Sequence, residues 1–483
     1  MPAAHLPFTP KFARSPPSTP YAKSMARVLL LSTYEQGHQP IGLAAPAAAL
    51  RAGGHHVECR DLAVEGVTAD EVRRAALVAI SAPMHTASRL GLRLAEQIRK
   101  AAPEVHLAWY GLYAAPLADL LRERGLADSV LGGEYEPALV KLAAALDSVP
   151  GAPLAGATTL EHPRQLFAVP DRRGLPALDR YARVLRADGA HLAGYAEATR
   201  GCAHTCLHCP VTVAYGGRLR LVQREVVLDD IAQQVQAGAR HITFGDPDFL
   251  NAPPHAMALL TSMHAAHPEV TFDVTVKVEH LIEHAVLLPE LNDLGALFVT
   301  SAFESTSNTV LERLQKGHVA ADLDTALAHA EAAGLPLRPT WVAFTPWTSL
   351  ADYIKMLSFI EERGLVHHVQ AVQYALRLLL PPGSPLADVM AAEELLGPLD
   401  GERLTYLWSH PDPRMDALQT SLAALVEESA SRHAHDSGPD DAIEVFGRVK
   451  RAALAAASGL DRPVEVASQP PRFVPGLAES WFC

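Results

Sequence analysis

Short apolar runs alternate with amphipathic stretches along this chain. From Met25 the runs RVLLLS (27–32), HHVECRDL (55–62), ALVAISA (76–82), VHLAWYG (105–111) and DSVLGGE (128–134) read as buried strands. Between them, stretches such as GLAAPAAALRAGG and ASRLGLRLAEQIRKA read as helices. Strands that alternate with helices predict a Rossmann-like parallel sheet over residues 25–148, covered on both faces. Ligands of such sheets gather outside the carboxyl ends of the strands, here the loops STYEQGHQPIGL, SAPMHT, YGLYA and GGEYE.

Residues 149–189 have little periodicity and read as a linker. A second series of strands and helices then runs over 190–390, through LAGYAEATRGC, RHITFGD, TFDVTVKV, ALFVTSAFES, LPLRPTWVAFTP and VQAVQYALRLLL. Six strands in that length predict a partial (β/α)6 TIM-type barrel rather than a complete eightfold one. Residues 391–483 are Ala-rich, helical in pattern, and finish in a cysteine tail. Residues 1–24 are Pro-rich without a continuous apolar segment; they read as a disordered tail, or as sequence upstream of a true start at Met25, and not as a secretory signal.

The formal net charge is −13 and charged residues make up 20% of the chain, which weighs against nucleic-acid or anionic-membrane partners. No apolar run approaches the roughly 20 residues that span a bilayer, so a cytoplasmic protein is expected. Only five cysteines occur in 483 residues, and three fall within GCAHTCLHCP (201–210). A disulfide scaffold would spread them; this crowding points to metal. Cys202, Cys206 and Cys209, spaced C-x3-C-x2-C, can ligate three irons of a cubane and leave the fourth vacant for a substrate or cofactor. A structural zinc site is the rival, with His204 or His208 as fourth ligand, although closing a tetrahedron inside so short a loop is cramped.

C-x3-C-x2-C preceded by TRG resembles the cluster loop of the radical S-adenosylmethionine (SAM) superfamily. The position before the last cysteine is often aromatic there and is His208 here. The resemblance implies a [4Fe-4S] cluster, SAM, and an electron donor such as flavodoxin or ferredoxin. Carried over by position, it implies SAM contacts from His208, from Asp246 and Asp248 in TFGDPDF, and from Glu304 in SAFES, which is followed by VLERLQKGH. Lys277 and Arg377, at strand ends, would reach the SAM carboxylate or the substrate. Alone, each charged residue would read as a solvated ion pair.

The N-terminal segments HQPIGLAAPAAALRAGGHHVECRDL and LGGEYEPALVKLA resemble the cobalamin-binding domain of one branch of that superfamily. The D-x-H-x-x-G motif of some cobalamin proteins is absent, so the domain is either a cobalamin carrier or a retained scaffold over the active site. His38 and His85 lie in its ligand loops. The mixture of loops, with Cys483 after GLAESWF, is similar to the CUAEP/CCAEP-tail radical SAM proteins. That likeness makes the chain a selenoprotein candidate and Cys483 a substrate-holding residue.

The leading expectation is therefore an oxygen-sensitive enzyme of transferase or lyase type. It would move SAM's 3-amino-3-carboxypropyl group to a thiol- or selenol-held metalloid such as arsenite, a soft centre suited to soft donors. A cobalamin-dependent radical SAM methyltransferase acting on a small natural-product precursor is the alternative. A metalloid-binding sensor without catalysis is the non-enzymatic one.

Overall fold

The computed structural model describes residues 26–148, 158–161, 165–435, 442–467 and 473–478. The expected tail at residues 1–24 and Cys483 lie outside them. Strands β1 (Arg27–Ser32), β2 (His56–Asp61), β3 (Leu77–Ser81), β4 (His106–Tyr110), β5 (Ser129–Gly133) and β6 (Thr158–Glu161) form one sheet in the order β2-β1-β3-β4-β5-β6, parallel throughout. Side chains along a strand point alternately to the two faces, and two cores result. Leu29, Leu31, Val78, Ile80 and Trp109 pack under the helix His85–Ala101. Val28, Leu30, Leu77, Ala79 and Tyr110 pack under the helices Ile41–Ala52 and Glu136–Ser148. Burial on both faces is why these strands read as continuous apolar runs.

The second sheet contains β7 (Arg183–Arg186), β8 (Gly189–Ala196), β11 (His241–Phe244), β12 (Thr271–Thr275), β13 (Ala296–Glu304) and β14 (Leu337–Trp341). Its order is β14-β13-β12-β11-β8-β7, and Gly476–Leu477 adds to the outer edge of β7. Strands β8, β11, β12, β13 and β14 run parallel, which makes a curled half-barrel, whereas β7 is antiparallel to β8. A short hairpin, β9 (Thr199–Gly201) with β10 (Leu219–Leu221), brackets the cysteine loop.

Two expectations are corrected. The sixth barrel strand expected at 369–380 does not form: residues Ala371–Ala375 make a 3-10 turn, and pairing shrinks to one bridge between Phe344 and Arg377. The reason is local, because the edge-strand Trp341 N–H is taken by the Gln373 side chain (2.8 Å) instead of a neighbouring backbone. The stretch expected to be linker carries structure as well. It supplies β6 and β7, and its residues 165–182 are tied down by Arg172. That guanidinium donates to Asp230 (2.7 and 2.8 Å), to Gln39 (2.9 Å) and to the Tyr195 carbonyl (2.7 Å), joining both domains. Among the described residues no helix is long and apolar enough to cross a membrane.

Candidate active site

The cysteine loop begins where Gly201 (φ +76°) turns the chain; a Cβ there would stand 2.2 Å from the Arg218 carbonyl oxygen, so only glycine fits. Cys202 and Cys206 are buried and Cys209 is half-buried. Cys209 precedes the helix Pro210–Tyr215, with the proline at its first turn. Burial pushes the thiol of Cys202 up, against an Asn251 amide donating to its sulfur at 3.4 Å, and pushes Cys209 up to about 11. Thiols so disfavoured as thiolates need a cation to ionise them, as metal binding does.

The zinc alternative needs a histidine turned onto the sulfurs. His204 Nε2 instead faces Asp248 Oδ2 (3.2 Å) and His208 Nε2 faces Glu304 Oε1 (3.3 Å). Three cysteines as the loop's sulfur ligands fit a cluster with one open iron.

Glu304 lies at a bulge in β13 where register shifts, with φ +62°. A bulge re-aims a side chain, and here it brings Glu304 between His208 and Lys316, whose Nζ is 3.1 Å away. Burial opposes the Glu304 charge, but Lys316 and His208 outweigh it and hold the carboxyl well below the usual range. Burial likewise opposes the Lys316 ammonium, and Glu304 followed by the Cys206 and Cys209 sulfurs keeps it above the ordinary lysine range. Lys316 is the residue that side-chain-by-side-chain reading of VLERLQKGH passed over.

Asp246 is buried at the end of β11 and lines the main cavity. Its oxygens accept from the Ala198 amide (2.9 Å) and the Thr199 hydroxyl (2.6 Å), so it anchors the strand that leads into the cysteine loop. Burial pushes it up to about 7. The remaining expected contacts are rearranged. Asp248 turns away from the cavities, onto His204 and His280. Lys277 pairs with Glu279 outside the cavities. Arg377 lines the main cavity, yet its guanidinium stacks on Trp408 (3.4 Å to the ring centre) and bonds Asp416 (2.6 Å), which fixes it as a wall.

The carboxyl ends of both sheets face each other across two abutting cavities of about 540 and 190 Å³, which share Pro83, Leu112, Tyr195, Val211, Gly245 and Pro247 as walls. The smaller is floored by the N-terminal sheet at Ser81, Gly111 and Gly133 and carries Glu35, which burial pushes up to about 8. The larger enters the barrel past Asp273, Thr300 and Arg338. His38 is buried against Tyr195 (4.8 Å between ring centres) and His85 Nε2 is bonded to the Arg403 carbonyl (2.7 Å). Burial pushes both histidines down to about 4, so both are neutral. Gly111 and Gly133 at strand ends keep side-chain bulk out of the smaller cavity, and Gly42, at the start of the helix Ile41–Ala52, lets Glu35 and Ser81 pack against its backbone.

The two domains are joined by Arg200, in the TRG segment. Its guanidinium bonds Glu136 (2.6 Å) and Glu134 (3.2 Å) at the end of β5, and Glu197 (3.1 Å) within the barrel. Nothing in the spacing of the sequence marked this contact, because the partners are more than 60 positions apart.

Comparison with known proteins agrees with this arrangement. The B12 binding domain family matches residues 27–143, and the Radical SAM superfamily matches residues 197–345. The chain is 25% identical over 324 residues to hopanoid C-3 methylase of Methylococcus capsulatus, across 64% of this chain, and spans about 62% of that relative's length. Among solved structures it resembles the cobalamin-dependent SAM radical enzyme OxsB with aqua-cobalamin bound (TM-score 0.67, 15% identity, 90% of this chain and 72% of that one). It also resembles the radical SAM methyltransferase TsrM from Kitasatospora setae with cobalamin and a [4Fe-4S] cluster bound (TM-score 0.61, 15% identity, 90% of this chain and all of that one). At such identities these likenesses speak for the fold. Radical SAM domains use a [4Fe-4S] cluster and SAM, and a B12-binding domain takes cobalamin. The chain carries a radical SAM domain behind an N-terminal B12-binding domain.

Proposed function

We propose that the protein is a cobalamin-dependent radical SAM methyltransferase acting on an unactivated carbon of a small molecule. The observation that carries this reading is the pair of abutting cavities between the strand ends of the two sheets, walled beside the cysteine loop by Gly201 on the smaller side, His208 and Pro210 on the larger, and Val211 on both. The named relatives, a methylase and a methyltransferase, support the same reaction class. The metalloid expectation has no such support, and the tail that motivated it lies outside the described residues.

When bound, the cluster supplies an electron to cleave SAM reductively and the corrinoid carries the methyl group. The chain's own residues have separable tasks. Cys202, Cys206 and Cys209 hold the cluster. Glu304, set by Lys316, and Asp246 present carboxyl groups beside the cysteine loop to the polar end of SAM. Asn251 donates to Cys202. Glu35 and the glycines of the β-strand ends shape the corrinoid cradle. Arg338 and Asp273 offer a substrate both a cation and an acceptor inside the barrel, and its walls exclude water. The electron donor is of the flavodoxin or ferredoxin class.

The test is anaerobic reconstitution with iron, sulfide, cobalamin and SAM, followed by mass spectrometry of the SAM products. S-adenosylhomocysteine together with 5′-deoxyadenosine and a corrinoid absorption spectrum is the expected result. 5′-methylthioadenosine in their place would mean that the aminocarboxypropyl group is transferred, and would overturn the proposal.

A further inference from the structure

Three side chains from three elements converge beside the cysteine loop without lining either cavity. His204 lies between Cys202 and Cys206, Asp248 follows β11, and His280 lies in the helix Val278–Glu283 after β12. Asp248 is fully buried; its Oδ2 is 3.2 Å from His204 Nε2 and 2.7 Å from His280 Nδ1. The three atoms lie within 4.8 Å of one another. All three are buried, and none makes an aligned hydrogen bond. The two contacts are short but do not meet hydrogen-bond geometry, so these two nitrogens and Oδ2 are left buried without an aligned partner. Asp248 Oδ1 accepts from the Lys277 amide (3.3 Å), while the Lys277 ammonium is paired with Glu279.

We propose that His204, Asp248 and His280 bind one first-row divalent cation, which braces the cysteine loop against the ends of β11 and β12. Two imidazoles and a carboxylate are a donor set suited to zinc or ferrous ions. Metal–ligand bonds of about 2.0–2.2 Å place adjacent donors about 2.8 to 3.6 Å apart for angles from a right angle to the tetrahedral one. The His204–Asp248 separation (3.2 Å) lies in that range, and the Asp248–His280 contact (2.7 Å) has to open by about 0.1 Å for a right angle at the metal or about 0.6 Å for a tetrahedral one. The inference is independent of the methyl-transfer reading, since it concerns none of the atoms that face the cavities.

The probe is Zn2+ added to the full chain after cluster reconstitution, then removed from solution by desalting. The expected result is one zinc per chain beside a full complement of iron, with a zinc-edge X-ray absorption spectrum of nitrogen and oxygen ligands, imidazole scattering and no sulfur. Asp248→Asn and His280→Ala should each lower retained zinc at least about tenfold with iron unchanged, whereas Glu283→Gln should retain it. Wild-type protein that holds no zinc, or zinc with a sulfur ligand, overturns the site. Loss of zinc in Glu283→Gln moves the ion to the neighbouring His280–Glu283–His284 group and also overturns it. If a variant fails to fold, the absorption spectrum of the wild-type chain decides alone.

Discussion

Lys316 Nζ and Glu304 Oε1 meet at 3.1 Å, both buried, in the wall behind the cysteine loop. Removing one partner of a buried pair strands the other, which costs roughly 3–5 kcal/mol. Lys316→Met should therefore lower unfolding stability by about 3 kcal/mol or more, measured by denaturant unfolding. The double variant Lys316→Met/Glu304→Gln should recover part of the loss. No recovery would mean that packing, not the charge, is what Lys316 supplies.

Cys206→Ala removes one of three sulfurs from a loop with no fourth protein donor. Reconstituted protein should lose most of its iron and all 5′-deoxyadenosine formation. Full SAM cleavage by this variant would contradict the assignment of the cluster.

Glu35 gives a pH dependence of known sign. Its carboxyl is raised from 4.5 to about 8, chiefly by burial, so the folded state holds the proton more tightly than the unfolded one. That contribution is complete below the unfolded value and is lost as pH rises through about 8. Glu35→Gln keeps an acceptor for the Gly42 amide (3.3 Å) and cannot ionise. The Tm of the variant relative to wild type should thus rise between about pH 5 and pH 9. A difference that stays flat would mean Glu35 is ionised throughout.

Gly245 separates the two cavities, and a Cβ there would stand 1.7 Å from the Tyr195 hydroxyl oxygen. Overpacking of this kind costs about 1–3 kcal/mol. In Gly245→Ala the displaced tyrosine should weaken hydroxocobalamin binding about tenfold, followed by absorption spectroscopy, while the [4Fe-4S] content stays at the wild-type level. Unchanged corrinoid affinity would place the macrocycle elsewhere.

Much of the fold was legible because doubly buried strands are long apolar runs, and all five strands read over residues 25–148 are present. The cysteine loop was legible because its three ligands are neighbours in sequence. The sixth barrel strand was misread because alternation in 369–380 does not reveal that the Gln373 amide takes the place of a backbone partner. Asp246 and Asp248 are two positions apart, and composition gives no means of telling which faces the cavity; only the nearness of His280, from the next helix, draws Asp248 away. Lys316 and the Glu134–Arg200–Glu136 contact depend on segments brought together by folding, which local spacing does not record.

The Arg200 contact has a mechanical consequence. The cation belongs to the barrel, one residue before the glycine that opens the cysteine loop, and two of its anions belong to the other domain. Prising the halves apart would strip two carboxylates of their cation at once and tug on the backbone that carries the sulfur ligands. The gap between the domains is thereby held at a set width, so a bulky guest has to enter and turn over within a rigid vice rather than ride on a swinging arm.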